Sequence, residues 1–274
     1  MNQDKLASYV LGNSSEEHRR LIFQSRFIGE LTETLLLRAG LAEGMNVLDI
    51  GCGVGDLSIL AAAFVGPSGS VFGVDQCAES ISLARRRVKD AGLVNIRFEV
   101  DDLKELKPHG QFDALVGRLI LMYMPEPAAV LWDLARHVRP GGLVIFQEME
   151  MSTGRAVPEI PLYEECGRWI RAAFRHAGVE TEMGSRLYTI YREAGLPDPQ
   201  MISGARVEGG PQADFYEWLA ETVRSLLPII VETGMVTKEE IDVETLAERL
   251  REDVVAGRGI VYSPVYVGAW ARKT

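Results

Sequence analysis

Cysteine is scarce in this chain: 274 residues contain three, Cys52, Cys77 and Cys166. They are too few and too scattered for a disulfide framework or a zinc site, so no metal centre is expected and the thiols are read as reduced. Long apolar runs are missing as well. None approaches the roughly 18–20 residues needed to cross a bilayer. The opening residues, Met1-Asn2-Gln3-Asp4-Lys5, hold no signal-peptide hydrophobic region. A cytoplasmic protein without a membrane span is expected. Positive charge is in deficit, with 29 Lys and Arg against 39 Asp and Glu and a formal net charge of −10. That balance argues against a nucleic-acid partner, whose binding depends on neutralising phosphates. The one basic cluster, Arg85-Arg86-Arg87-Val88-Lys89, reads as a solvated helix end that suits the helix dipole. What is present is ordinary globular material: 47% hydrophobic and 25% charged residues, enough for a full buried core.

Hydrophobic periodicity then orders the elements. Leu21, Ile22, Ile28, Leu31, Leu35 and Leu36 recur at helical spacing over 16–40, with Gly40 as a stop. Short apolar runs at 45–50, 71–74, 96–100, 112–116 and 143–147 read as strands. Helices at 56–64, 78–91 and 128–138 fall between them, and Arg139-Pro140-Gly141-Gly142 reads as a turn. Strands alternating with helices imply a mostly parallel sheet covered on both faces. Past residue 150 the rhythm breaks. Helical stretches are expected at 161–177, 185–194, 213–232 and 238–256, with strands at 200–207 and 259–271. The predicted organisation is an N-terminal helical lid (1–40) and a core (41–150). Segments 151–183 and 211–257 form a helical cap, and 184–210 and 258–274 complete the sheet.

The central signal is Val47-Leu48-Asp49-Ile50-Gly51-Cys52-Gly53-Val54-Gly55-Asp56. A glycine-rich turn between a first strand and a first helix lets backbone approach a ligand closely. In dinucleotide-binding folds a G-x-G-x-x-G turn seats a pyrophosphate. Here the spacing is Gly51-x-Gly53-x-Gly55, flanked by Asp49 and Asp56. Acidic flanks repel a pyrophosphate and suit a ligand with an ammonium and a sulfonium. The second strand ends at Asp75, placed to accept hydrogen bonds from ribose hydroxyls. The third ends in Asp101-Asp102-Leu103, either an adenine-amine acceptor beside an apolar contact or a turn cap.

Asp-x-Gly-x-Gly-x-Gly, Asp75, Asp101-Asp102, Phe112-Asp113-Ala114-Leu115-Val116 and Arg139-Pro140-Gly141-Gly142 together resemble the class I S-adenosylmethionine-dependent methyltransferases across 45–150. The resemblance implies a Rossmann-like α/β fold: a seven-stranded, mostly parallel sheet with an antiparallel last strand, here with helical cap insertions. It implies S-adenosylmethionine as cofactor. Asp49, Gly51, Cys52 and Gly53 would surround its methionine part, Asp75 and Gln76 its ribose and adenosine, and Asp101, Asp102 and Leu103 its adenine. Arg118, past the fourth strand, either reaches the donor carboxylate or makes a surface ion pair. Small-molecule methyltransferases of this kind often fold an N-terminal helix over the donor. Tyr9, Arg20 and Gln24 are then either donor contacts or part of a solvated face; Arg20 and Gln24 are four apart and share a side.

Methyl transfer from a sulfonium is an in-line displacement, so the protein chiefly supplies alignment and a dry site. A base is needed only where the nucleophile must lose a proton. The catalytic candidates are Glu148, after the fifth strand, and Tyr123, after the fourth; Glu148 and Glu150 alternate onto one face. The text Gly117-Arg118-Leu119-Ile120-Leu121-Met122-Tyr123-Met124-Pro125 lacks the Asn/Asp-Pro-Pro-aromatic tetrad of enzymes acting on planar amino nitrogens. It also lacks a Pro-Cys nucleophile. Aromatics in the cap segments, among them Tyr163, Trp169, Phe174, Phe215 and Trp218, fit either a core or an apolar pocket. The expected partner is a small, largely apolar methyl acceptor, and in this the chain resembles methyltransferases of the ubiquinone/menaquinone-biosynthesis type and of bacterial secondary metabolism; the oligomeric state is open, a homodimer included. The rivals are a methyltransferase fold that binds the donor without transferring methyl, and a nicotinamide-dependent oxidoreductase.

Overall fold

The computed structural model describes residues 11–12, 15–103, 106 and 111–274. Helix α1 (Ser15–Ala39) closes with Leu41 N–H bonded to the Leu36 carbonyl and Gly40 N–H to that of Leu37, a Schellman ending. It is followed by β1 (Asn46–Ile50), α2 (Asp56–Val65), β2 (Ser70–Asp75), α3 (Ala78–Asp90), β3 (Ile96–Val100), β4 (Phe112–Arg118), α4 (Pro127–Ala135) and β5 (Val138–Glu150). The remainder comprises β6 (Arg155–Val157), α5 (Pro161–His176), α6 (Met183–Glu193), β7 (Gln200–Gly204), β8 (Val207–Gly209), α7 (Phe215–Glu232), α8 (Lys238–Ile241), α9 (Leu246–Ala256), β9 (Ile260–Tyr262) and β10 (Val265–Arg272).

The main sheet runs β3-β2-β1-β4-β5-β10-β7. The first five strands are parallel, and β10 is antiparallel to both its neighbours. The expected seven-stranded Rossmann-like sheet is therefore present. Chain order reverses between β1 and β4, so the crevice outside their carboxyl ends is the natural ligand position of an open α/β sheet. The strands there are apolar in their centres: Val47, Leu48, Ile50, Leu115 and Val116 are at most 1% exposed. This is the signature of a sheet buried on both faces.

Several elements differ from the sequence expectation, each for a local reason. The anticipated strand 259–271 divides at Ser263-Pro264. Proline cannot donate to a ladder, while the Ser263 hydroxyl accepts the Arg206 N–H and its own N–H reaches the Arg206 carbonyl. β9 thereby leaves the main sheet and joins β6 and β8 in a small antiparallel sheet of order β6-β9-β8. The helix expected over 238–256 breaks into α8 and α9 at Asp242, whose φ is 42°. Thr237 and Glu240 cap α8 reciprocally. The turn expected at 139–142 instead opens β5. Gly141 N–H and the Gly142 carbonyl bond the backbone of Lys273, which pulls the segment into line. Arg85 and Arg87 of the basic cluster are tied rather than merely solvated: Arg85 donates to the Phe98 carbonyl, and Arg87 to the Val54 carbonyl and to Asp56.

α1 lies against β10 and β5 and also packs on α7, which in turn contacts α5 and α9. The α1–α7 junction is aromatic: the Phe27 ring lies 5.7 Å from Trp218 and 6.3 Å from Phe215. One described helical layer therefore spans the distance between the glycine turn and the late helices. No described helix is long and apolar enough to cross a membrane.

Candidate functional site

A cavity of about 870 Å³ opens at the β1/β4 reversal and continues beneath α5 and α7. Its first end is built by the glycine turn. Gly51 (φ 61°) and Gly53 (φ 53°) are left-handed, a conformation glycine adopts without penalty. A side-chain carbon added at Gly53 would meet nothing within 4 Å, because that position faces the cavity. The Gly53 N–H donates to Asp75 Oδ2 at 2.8 Å, and Cys77 N–H to Asp75 Oδ1 at 2.8 Å. Asp75 therefore fastens the turn to the end of β2. Burial raises its carboxyl above the usual range, opposed by those two N–H groups.

Asp49 sits on β1 directly beneath the turn and is 1% exposed. Its Oδ2 accepts the Ser58 hydroxyl at 2.5 Å, while Oδ1 has no partner among the described residues. Burial pushes its pKa up to about 7, with the Ser58 bond and the Arg118 charge pulling the other way. A buried orphan carboxylate oxygen costs free energy until a donor reaches it. Arg118, at the end of β4, bonds the Thr32 hydroxyl at 3.4 Å and makes no ion pair with any described residue. Burial lowers its pKa against the opposing pull of Asp56 and Asp49. The cavity thus offers an unmatched anionic oxygen and an unmatched guanidinium side by side in its wall.

Arg20 and Gln24 line the same cavity from α1. The Arg20 guanidinium forks onto Glu17 at 2.6 and 2.7 Å and donates to Gln24 at 2.5 Å, all three being buried. Cys52, Gln76, Asp102 and Leu103 also face the cavity. Asp101 does not; its carboxylate accepts the Asp102 N–H and turns the chain. Tyr9 lies outside the described residues.

The two catalytic candidates part company. Tyr123, in the short 3-10 turn Leu121–Tyr123, lines the cavity, and burial raises its hydroxyl far above the ordinary phenol range. Glu148 is fully buried and is not in the cavity wall. Its Oε1 accepts the backbone N–H groups of Ile120 at 3.0 Å and Leu121 at 2.8 Å. Burial pushes its pKa up to about 8. It holds the turn that carries Tyr123, including Leu119 at φ 55°. Glu150 is spoken for elsewhere: it accepts the Ser185 N–H and hydroxyl at the start of α6.

The far end of the cavity is mainly apolar, with Glu164, Arg171 and Thr222 as its polar side chains. Met122, Met124, Met149 and Met151 meet Phe174, Phe215 and Trp218 there. Trp169, whose position in the sequence fits either a core or a pocket, packs in the core. Met149, Met151 and Pro264 carry no local signal: the apolar run of the fifth strand stops at Gln147, and Pro264 falls within a stretch whose pattern is that of a strand. The α5 contribution was legible in principle: Tyr163, Glu164, Gly167, Ile170, Arg171 and Phe174 form one helical stripe.

Comparisons with known proteins fit this geometry. Residues 41–195 match the family model described as "Methyltransferase domain". The chain is 32% identical over 184 residues to an arsenite methyltransferase of Aquipseudomonas alcaligenes, covering 61% of this chain and 48% of that protein. It is 30% identical over 122 residues to a demethylmenaquinone methyltransferase of Geobacillus kaustophilus, covering 44% and 52%. The chain spans about half the length of these curated relatives. Among solved structures, a SAM dependent methyltransferase from Aquifex aeolicus aligns with TM-score 0.51 at 23% identity, over 72% of this chain and 93% of that one. The YcgJ protein from Bacillus subtilis aligns with TM-score 0.59 at 16% identity, over 89% and 98%. These two likenesses speak to the fold.

Proposed function

This chain belongs to the methyltransferase-domain family, and from that premise we propose that it transfers a methyl group from S-adenosylmethionine to a small, largely apolar acceptor. The observation that carries the reading is the pairing of unmatched groups at the glycine turn: the orphaned Asp49 Oδ1 and the unpaired Arg118 guanidinium. An amino acid's ammonium and carboxylate match both in sign, whereas a pyrophosphate would answer Arg118 and be repelled by Asp49. Gly53 leaves open the space a side chain would fill.

In this reading Asp49 takes the donor's ammonium and Arg118 its carboxylate, while Gly51, Cys52 and Gly53 give the backbone room to approach. Asp75 and Gln76 take the ribose, and Asp102 and Leu103 the adenine. Arg20 and Gln24 close the site from α1, which acts as a lid. When bound, the donor supplies a methyl already activated on a sulfonium, so its transfer leaves a neutral thioether. The chain's own task is to align the acceptor and exclude water. Tyr123, kept protonated by burial, donates a hydrogen bond rather than removing a proton. Glu148 serves by holding the Tyr123 turn.

The far end supports an organic acceptor. α5 and α7, from the segments read as a cap, enclose it with aromatic side chains, and Met122, Met124, Met149 and Met151 add thioethers from outside those helices. Arsenite is thiophilic, yet the described wall of that end carries no thiol. Cys52 and Cys77 belong to the donor end, and Cys166, not among the residues lining the cavity, is held as a thiol by burial, its pKa pushed up to about 12. Three unpaired thiols also suit a reducing, cytoplasmic setting.

The reading is tested by calorimetric titration with adenosylhomocysteine, alongside NADH, and by following labelled methyl from the donor into 2-naphthol. Adenosylhomocysteine should bind and NADH should not. Asp75→Ala should weaken the binding by about 1–3 kcal/mol through lost hydrogen bonds to a charged group. Unchanged affinity in that variant would remove Asp75 from the site. Binding without any transfer would favour the non-catalytic rival.

A further inference from the structure

The cavity wall contains three arginines: Arg20, Arg118 and Arg171. Arg20 is forked onto Glu17, and Arg118 rests on Thr32 beside Asp49. Arg171, at the far end, forms no hydrogen bond or ion pair with any described residue. It is half-buried on the α5 stripe that faces the cavity. Its guanidinium is therefore available to an anionic group of a ligand that enters the cavity.

The helix is adapted to hold the group there. Gly167 stands one turn before Arg171, in the middle of α5, where glycine is a poor helix residue. Its backbone is not left-handed, so the turn itself does not call for glycine. What the missing side chain admits is Arg171: a carbon added at Gly167 would meet Arg171 Nη1 at 3.0 Å. The guanidinium lies back over the glycine, along the cavity wall. Glu164 faces the same cavity seven residues earlier, about 10 Å along the helix axis. An elongated ligand lying along α5 therefore meets positive charge at one place and negative charge at another, which fixes its direction.

We infer that Arg171, seated over Gly167, is a specificity-determining residue that binds an anionic group of the methyl acceptor. The acceptor is then an apolar, aromatic molecule bearing a carboxylate or equivalent anion, held bidentately by the planar guanidinium. Glu164 repels that anion from the opposite end of the stripe. This rests on the methyltransferase reading of the same cavity and narrows its substrate class.

The test uses two probes of one shape, 2-naphthoate and 2-naphthol, titrated into the full chain saturated with adenosylhomocysteine. Naphthoate should bind roughly tenfold more tightly, about 1.4 kcal/mol. Arg171→Gln should abolish that preference while leaving the naphthol affinity in place, and Arg171→Lys should keep part of it. Gly167→Ala should lower the preference while raising the melting temperature, a combination that general damage to the fold does not produce. Equal binding of the probes by the native chain, no binding of either, or an equal loss of both in Arg171→Gln would overturn the inference. Failure of adenosylhomocysteine itself to bind would instead overturn the methyltransferase reading.

Discussion

The two ends of the cavity are made by different means. The donor end is assembled from the carboxyl ends of adjacent parallel strands and the turn after β1, so its groups stand where the backbone ladder puts them. Asp49, Asp75 and Arg118 terminate or nearly terminate β1, β2 and β4. The acceptor end is assembled from side chains of α5, α7 and residues 149–151, brought together by helix packing. Backbone geometry and groups at strand ends define the first end; shape, apolar area and the helix-borne charges of Glu164 and Arg171 define the second. A substitution at the donor end should therefore change affinity for one ligand sharply. One at the acceptor end should grade selectivity among many.

That contrast can be broken or sharpened in order of expected effect. Gly53→Val places a branched side chain on a left-handed residue at the cavity wall and should weaken adenosylhomocysteine binding by about a hundredfold or more, roughly 3 kcal/mol. Naphthol binding at the far end should persist. Loss of both ligands together would show that the two ends are one cooperative unit.

The next effect is a pH dependence. Asp49 is raised to about 7 by burial, so below that pH the carboxyl is largely protonated and cannot oppose the donor's ammonium. Adenosylhomocysteine affinity should rise with pH toward 7, by at most about tenfold per unit, and level off above it. Asp49→Asn should flatten the profile across that window in calorimetric titrations. A native profile already flat there would show that Asp49 does not meet the ammonium. In the unliganded protein the sign is opposite. A carboxyl whose folded pKa is raised loses stability as pH climbs from its unfolded value through about 7, and bound donor should reverse that loss.

The smallest effect belongs to the acceptor end. The Thr222 hydroxyl donates to the Trp218 carbonyl of its own helix at 2.8 Å while its side chain lines the cavity. Thr222→Val keeps the shape and removes one polar atom. Stability should change by no more than about 1 kcal/mol, naphthol should bind slightly better, and adenosylhomocysteine should bind as before. A changed donor affinity would contradict the separation of the two ends.

The donor end was readable because its information is local. Asp49, the glycines and Asp75 are spaced by the length of a strand, a turn and a helix, and alternating apolar runs fixed the strands between them. Glu148 shows where that local reading stops. Alternation places it on a face with Glu150, but that Glu148 meets the 119–123 turn and Glu150 the start of α6 depends on neighbours 27 and 35 residues away in the chain.

The sequence by itself determined the order of strands and helices through residue 150, the parallel character of the sheet there and the character of the glycine turn. Each of these follows from hydrophobic period and residue chemistry within a short window. Only the tertiary structure decided that β9 would leave the sheet for a smaller one, that Glu148 would face backbone amides, and that Arg171 would lie over Gly167 inside a cavity. Those outcomes depend on which distant surfaces bury each other, and burial is a property of the packed chain that no window of sequence contains.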